Sequence, residues 1–96
     1  MIDSAEPTPT RELLIVNKRG LHARASARFV QAVEGYDADV RVTRDGNTVG
    51  GTSIMGLMML AASPGCVIHI EATGRQAVEV LDALEALVAD RFGEEA

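Results

Sequence analysis

Apolar and polar positions follow two rhythms along this chain, and each change of rhythm marks an element. Glu12 to Val16 is a short run with β-branched residues that puts Leu13 and Ile15 on one face, so it reads as a strand. From Ala23 to Glu34 the apolar residues Ala25, Phe29, Ala32 and Val33 recur at three and four, a helical spacing, and Gly35 supplies a stop. Ala38 to Thr43 alternates, with Val40 and Val42 on one side and Asp39, Arg41 and Thr43 on the other. Asp45-Gly46 is a hairpin signal, after which Thr48-Val49-Gly50 returns as the partner strand.

Ile54 to Ala62 is apolar throughout and is closed by Ser63-Pro64-Gly65. Periodicity alone leaves a buried strand open here. Thr52 or Ser53 as an N-cap, and the lack of β-branched residues after Ile54, favour a short helix. Cys66 to Ala72 alternates again: Cys66, Ile68 and Ile70 point one way, Val67, His69 and Glu71 the other. Thr73-Gly74-Arg75-Gln76 has the spacing of a capping box. A last helical stripe of Ala77, Val80, Leu81, Leu84, Leu87 and Val88 ends at Gly93.

The order β-α-β-β-α-β-α predicts an α+β fold of two layers, because strands and helices with one apolar face must cover each other. A right-handed first crossover leaves a gap between two parallel strands. The last strand fits that gap in the opposite direction, which completes a four-stranded antiparallel sheet with three helices on one face. Residues 12–92 are expected to form this domain, with residues 1–11 a flexible tail and residues 93–96 a second tail.

Composition narrows the function classes. Ninety-six residues hold one core, and that core is aliphatic, since the chain has two Phe, one Tyr and no Trp. Only nine Lys and Arg against fourteen Asp and Glu, a net charge of −5, argue against a nucleic-acid binder. A single cysteine, Cys66, excludes an internal disulfide and a thiolate zinc cluster. His22, His69 and Cys66 lack metal-ligand spacing, so no metal site and no cofactor are expected. The chain has no apolar run of the roughly 20 residues that would cross a bilayer, and Met1 to Thr10 lacks the layout of a secretory signal. A cytoplasmic domain is expected, with no membrane and no nucleic acid among its partners.

The candidate chemistry sits in Gly20-Leu21-His22-Ala23-Arg24-Ala25-Ser26. A turn glycine delivers a histidine to the start of a helix, where backbone N–H groups lack partners and the helix dipole favours an anion. Histidine is a nucleophile able to carry a covalent group. Arg24 adds a fork of donors suited to phosphate. On these residues alone, a polar helix cap beside a solvated arginine fits equally well.

Taken with Gly51-Thr52-Ser53-Ile54-Met55-Gly56-Leu57-Met58-Met59-Leu60, in that order and spacing, the chain resembles the HPr family. These are the histidine-containing phosphocarriers of the phosphoenolpyruvate-dependent phosphotransferase system, and the resemblance runs from about Glu12 to Phe92. It implies the HPr-like open-faced β-sandwich and a relay rather than an enzyme. It implies that His22 accepts a phosphoryl group on Nδ1 from phosphorylated enzyme I and passes it to an enzyme IIA-type acceptor. Arg24 matches the arginine that neutralises the phosphoryl oxygens, and Ser53 matches the serine modified by HPr kinase/phosphorylase. Ile54, Leu57 and Met58 match an exposed apolar docking patch, to which Ala23 is added as a partner-binding position. A monomer is expected.

One position departs from the family. Ala25 stands where proline usually follows the arginine, which keeps the helix and returns one backbone donor near the phosphate. Ala25-Ser26 and the methionine-rich second helix resemble the nitrogen-related regulatory branch of the family. Met55 or Met59 is expected in the core, Met58 with Leu57 on the surface. Cys66 is expected as a small buried hydrophobe, and His69 as an exposed strand residue. The alternative from another class is a regulatory binding module that is not phosphorylated, in which His22 merely caps a helix and the second helix is the interface. A small-molecule-sensing domain of similar architecture is a third. Arg24, two residues after His22, separates the carrier from both.

Overall fold

The structure is a computed structural model describing residues 8–96. Its elements follow the predicted order: β1 (Thr10–Leu14), α1 (Ala23–Glu34), β2 (Asp39–Arg44), β3 (Asn47–Gly50), α2 (Ile54–Met59), β4 (Val67–Thr73) and α3 (Ala77–Ala89). A short 3₁₀ turn over Arg91–Gly93 follows. The strands form one antiparallel sheet in the order β1-β4-β2-β3, so β4 does lie between β1 and β2.

Register decides which face is buried, because side chains alternate along a strand. Leu13 pairs with Ile68 and Val42 with Ile70, and all four are buried. Glu12, His69 and Thr43 line up across the same three strands on the opposite face. The helices cover the apolar face. Phe29 and Val33 of α1 and Val80, Leu81 and Leu84 of α3 join the strand residues in one continuous core. Val30 and Ser26 complete the buried stripe of α1, while Ala32 is only partly buried.

Three local expectations are corrected. Thr73 does not cap α3: it pairs with Asp39 as the last residue of β4 and stays extended. Gln76 stands at the N-cap without a side-chain cap bond. Its side-chain oxygen accepts from Asp37 N at 2.8 Å, and its own N–H donates to Asp37 O at 2.9 Å. The capping-box residues thus fasten the chain between α1 and β2 to the start of α3. The second correction is that α2 stops at Met59, because Leu60 caps it and Ala61 turns left-handed, with φ 53°.

The third concerns the chain after α3. Arg91 and Phe92 both have left-handed backbones, with φ 56° and 55°, and turn the chain back over the domain. Phe92 is fully buried, and its carbonyl accepts from the Arg28 guanidinium. Glu94, read as part of a tail, is therefore held against the body by its own side chain. At the other end, the expected N-terminal tail lies outside the described residues as far as residue 7, and the chain is already in β1 at Thr10.

Candidate functional site

The site begins with a glycine that no other residue replaces. Gly20 has φ +62°, and a Cβ there would lie 2.2 Å from the carbonyl oxygen of Ala62. That close approach lets Leu21 N donate to Ala62 O at 3.0 Å and sinks Leu21 into the core. The next residue, His22, emerges at the N-cap of α1 with an extended backbone, one position before the helix proper. Its carbonyl accepts the first helical hydrogen bond from Ser26 N at 2.9 Å. Buried Ser26 turns its hydroxyl to Leu21 O at 3.2 Å and fastens the loop from inside.

Both ring nitrogens of His22 have partners. Nδ1 accepts from the backbone N–H of Arg24 at 3.3 Å, and Nε2 meets the carboxylate of Glu94. A backbone N–H only donates, so Nδ1 carries the lone pair and Nε2 carries the proton that goes to Glu94. The His22 side chain keeps 13 % of its surface exposed and that of Glu94 keeps 15 %. Behind them lies Asn17, fully buried, whose amide nitrogen donates to Glu94 Oε1 at 3.0 Å and to Gly20 O at 2.9 Å.

Burial works against the charged form of Glu94. Hydrogen bonds from Asn17 and His22, with the electrostatic pull of His22 and Arg19, outweigh it and hold the carboxyl below the usual glutamate range. Neither Asn17 nor Glu94 stood out in the sequence. A polar residue in a loop and a glutamate two places from the end carry no periodic signal, and 72 positions separate Glu94 from His22.

Arg24 is exposed in the first turn of α1, and among the described residues its guanidinium has no ion-pair partner. Ala25, the third residue of α1, is fully buried, and its N–H precedes the first helical hydrogen bond, which starts at Ser26 N. The site therefore presents an imidazole at a helix start, its Nδ1 turned to a backbone N–H and its Nε2 to a carboxylate, with a free-standing cation two residues further on.

Ser53 stands at the N-cap of α2, where its hydroxyl accepts from Gly56 N at 3.0 Å and the residue remains exposed. The apolar surface beside it differs from the expected one. Leu57 is fully buried, whereas Met55 and Met59 are the most exposed, at 68 % and 78 %. Ile54 and Met58 are exposed as expected, as is Ala23 at the start of α1. The helix has one inward stripe, Leu57 and Leu60 three apart, and neither Met55 nor Met59, the two candidates for the core, falls on it. α1 and α2 pack against each other, which places both candidate positions on neighbouring elements.

Cys66 is half-buried rather than buried, and its sulfur accepts from Arg44 at 3.2 Å. Hydrogen bonds from Ser63, opposed by burial and assisted by Arg44, hold its thiol below the usual range. His69 is half-exposed on the open sheet face, 3.9 Å from Glu12. Among the described residues no cluster of His, Cys, Asp or Glu is placed to hold a metal ion, and no helix is long and apolar enough to cross a membrane.

Comparison with known proteins bears directly on this geometry. The family model described as "PTS HPr component phosphorylation site" matches residues 9–90. A phosphocarrier protein HPr from Cupriavidus necator is 48 % identical over 84 residues, covering 88 % of this chain and 94 % of its own. One from Pseudomonas aeruginosa is 47 % identical over 87 residues, covering 90 % and 97 %. Among solved structures, an HPr from Thermoanaerobacter tengcongensis superposes with a TM-score of 0.87 at 39 % identity, covering 92 % of this chain and 99 % of the other.

Proposed function

Because this chain belongs to the HPr family of phosphocarrier proteins of the phosphotransferase system, we propose that His22 is its phosphoryl acceptor and that Nδ1 is the atom that takes the group. The chain is a carrier and not a catalyst, so the chemistry it contributes is that of one well-placed nucleophile. The observation that carries the proposal is the division of labour on the imidazole. Glu94 takes the Nε2 proton, and Nδ1 keeps its electron pair toward a backbone N–H at the helix start.

In the proposed step phosphorylated enzyme I presents its phosphoryl group in line with Nδ1. The Nδ1 electron pair forms the new bond to phosphorus, and the bond to the donor breaks with its electrons left on the donor. A loose phosphoryl transition state needs positioning and positive charge. The Arg24 N–H loses its ring acceptor as Nδ1 is occupied and faces a phosphoryl oxygen instead, and the Arg24 guanidinium adds a cation. Transfer to an enzyme IIA-type acceptor runs the same step backwards. Docking falls to Ala23, Ile54 and Met58, with exposed Met55 and Met59 in the place first given to Leu57. Methionine suits a surface that must fit more than one partner.

Ser53 is proposed as a regulatory phosphorylation site for an HPr kinase/phosphorylase. Its hydroxyl is exposed at a helix start that tolerates an anion, and an added charge of about −1.5 to −2 would stand beside the apolar docking residues. The test of the main proposal is intact-protein mass after incubation with enzyme I, Mg²⁺ and phosphoenolpyruvate. One added phosphoryl group that mild acid removes, absent in a folded His22→Ala chain, is expected. Labelling of His22→Ala at an acid-labile site would overturn the assignment.

A further inference from the structure

We propose that Glu94 is a positioning residue for phosphoryl transfer: held by Asn17, it fixes the proton of His22 on Nε2 and leaves Nδ1 as the nucleophile. The inference rests on His22 being the acceptor and adds the device that selects which of its two nitrogens reacts. Four independent features of the chain converge on that device.

The carboxylate is shared between two donors of different kinds. Oε2 meets His22 Nε2, while Oε1 accepts from the Asn17 amide at 3.0 Å, so the group is held at both oxygens and its orientation is set. Asn17 is fully buried, and among the described residues its side-chain oxygen has no hydrogen-bond partner. Burying a polar side chain with one atom unsatisfied is unfavourable. Its amide nitrogen is spent on Gly20 O and Glu94, the two groups that place His22 and hold its ring.

The backbone is bent for the same end. Arg91 and Phe92 adopt left-handed conformations that branched and bulky residues avoid, and such strain persists only where the surroundings over-determine it. Here the anchors are the buried Phe92 ring and the Arg28 guanidinium on the Phe92 carbonyl. Gly93 follows with φ +78°, and a Cβ there would lie 2.9 Å from that same guanidinium. The turn therefore ends in the one residue that clears Arg28, and the next residue is Glu94.

The chemistry gives the arrangement a use beyond holding the ring. When Nδ1 bonds to phosphorus the ring becomes an imidazolium with its proton still on Nε2. The ionised Glu94 faces that proton and offsets the new charge. When the nitrogen–phosphorus bond breaks, its electron pair returns to Nδ1 and the neutral Nε2–H ring is restored, so no proton has to enter or leave the site during the relay. Where a histidine ligates a metal, the carboxylate that orients it in this way is worth on the order of tenfold or more in activity.

The test uses the full chain labelled with ¹⁵N, with His22 ring nitrogens read at about pH 8.5, where a free imidazole is neutral. The wild type is expected to show the Nε2–H form alone. Glu94→Ala is expected to admit the Nδ1–H form and to slow phosphoryl transfer by enzyme I on the order of tenfold. Glu94→Gln, which keeps a carbonyl acceptor, is expected to restore the single tautomer and to recover only part of the rate. A Glu94→Ala chain with the wild-type tautomer overturns the inference, whatever its rate, and so does a wild-type rate. A wild-type chain that takes up no phosphoryl group overturns the reading of His22 itself, and the tautomer comparison tells that failure apart from a failure of Glu94.

Discussion

Leu21 N donates to the carbonyl of Ala62 at 3.0 Å, and this one bond ties the loop that carries His22 to the chain leaving α2. It exists because Gly20 permits the approach: φ +62° is open to glycine, and any Cβ would lie 2.2 Å from that carbonyl oxygen. The proposed nucleophile and the proposed docking helix thus share an anchor.

Gly20→Ala is accordingly expected to lose more than about 2 kcal/mol, since a left-handed alanine costs roughly 1–2 kcal/mol before the collision is relieved. Urea unfolding measures it. A midpoint equal to that of the wild type would show that the loop accommodates a side chain after all.

The inversion of α2 gives a paired experiment. Leu57 is fully buried and Met59 is 78 % exposed. Leu57→Ala should cost about 2–5 kcal/mol, as for other core leucines, and Met59→Ala should stay within about 0.5 kcal/mol. Met59→Ala and Met55→Ala are expected instead to weaken association with enzyme I, seen by calorimetry. Reversed stabilities would return Leu57 to the surface.

Ser53 separates structure from regulation. Ser53→Ala removes the acceptor for Gly56 N and should cost about 1 kcal/mol. Ser53→Asp keeps a good N-cap, so its melting temperature should match the wild type while the rate of phosphoryl transfer falls. An unchanged rate in Ser53→Asp would remove the regulatory role.

The Glu94 clamp also makes stability depend on pH, with a definite sign. Its carboxyl lies below the ordinary glutamate value in the folded chain, despite burial, because Asn17 and His22 hydrogen-bond it and His22 and Arg19 attract it. A depressed folded value means that the contribution is fully present above the unfolded value and is lost as pH falls through the folded one. The stability difference between wild type and Glu94→Gln should therefore be largest near neutrality and shrink in acid below the ordinary carboxylate range. A difference that grows in acid would mean that the carboxylate is not held in its charged form.

What the sequence by itself determined is what depends on neighbours in the chain. Alternation at Leu13–Ile15, Val40–Val42 and Ile68–Ile70 marked the strands and their buried faces, and the three-and-four spacing through Phe29 and Val33 marked α1. The element order restricted the sheet to one compact arrangement. The pair of motifs around His22 and Ser53 resembled a family to which the chain does belong. In a nine-residue apolar run with no polar positions, however, the inward stripe has no signal. Only packing against α1 and β3 decided that Leu57 and Leu60 face in and the methionines face out.

Tertiary structure alone decided where Thr73 and Glu94 work. Thr73 was drawn into the β4 ladder by Asp39, a partner 34 positions away, and so lost the capping role that its local spacing favoured. Glu94 reached His22 across 72 positions through a turn held by a buried phenylalanine and an arginine on its carbonyl. Short-range propensity sees neither, because each rests on the free energy of a contact that exists only after the chain has closed.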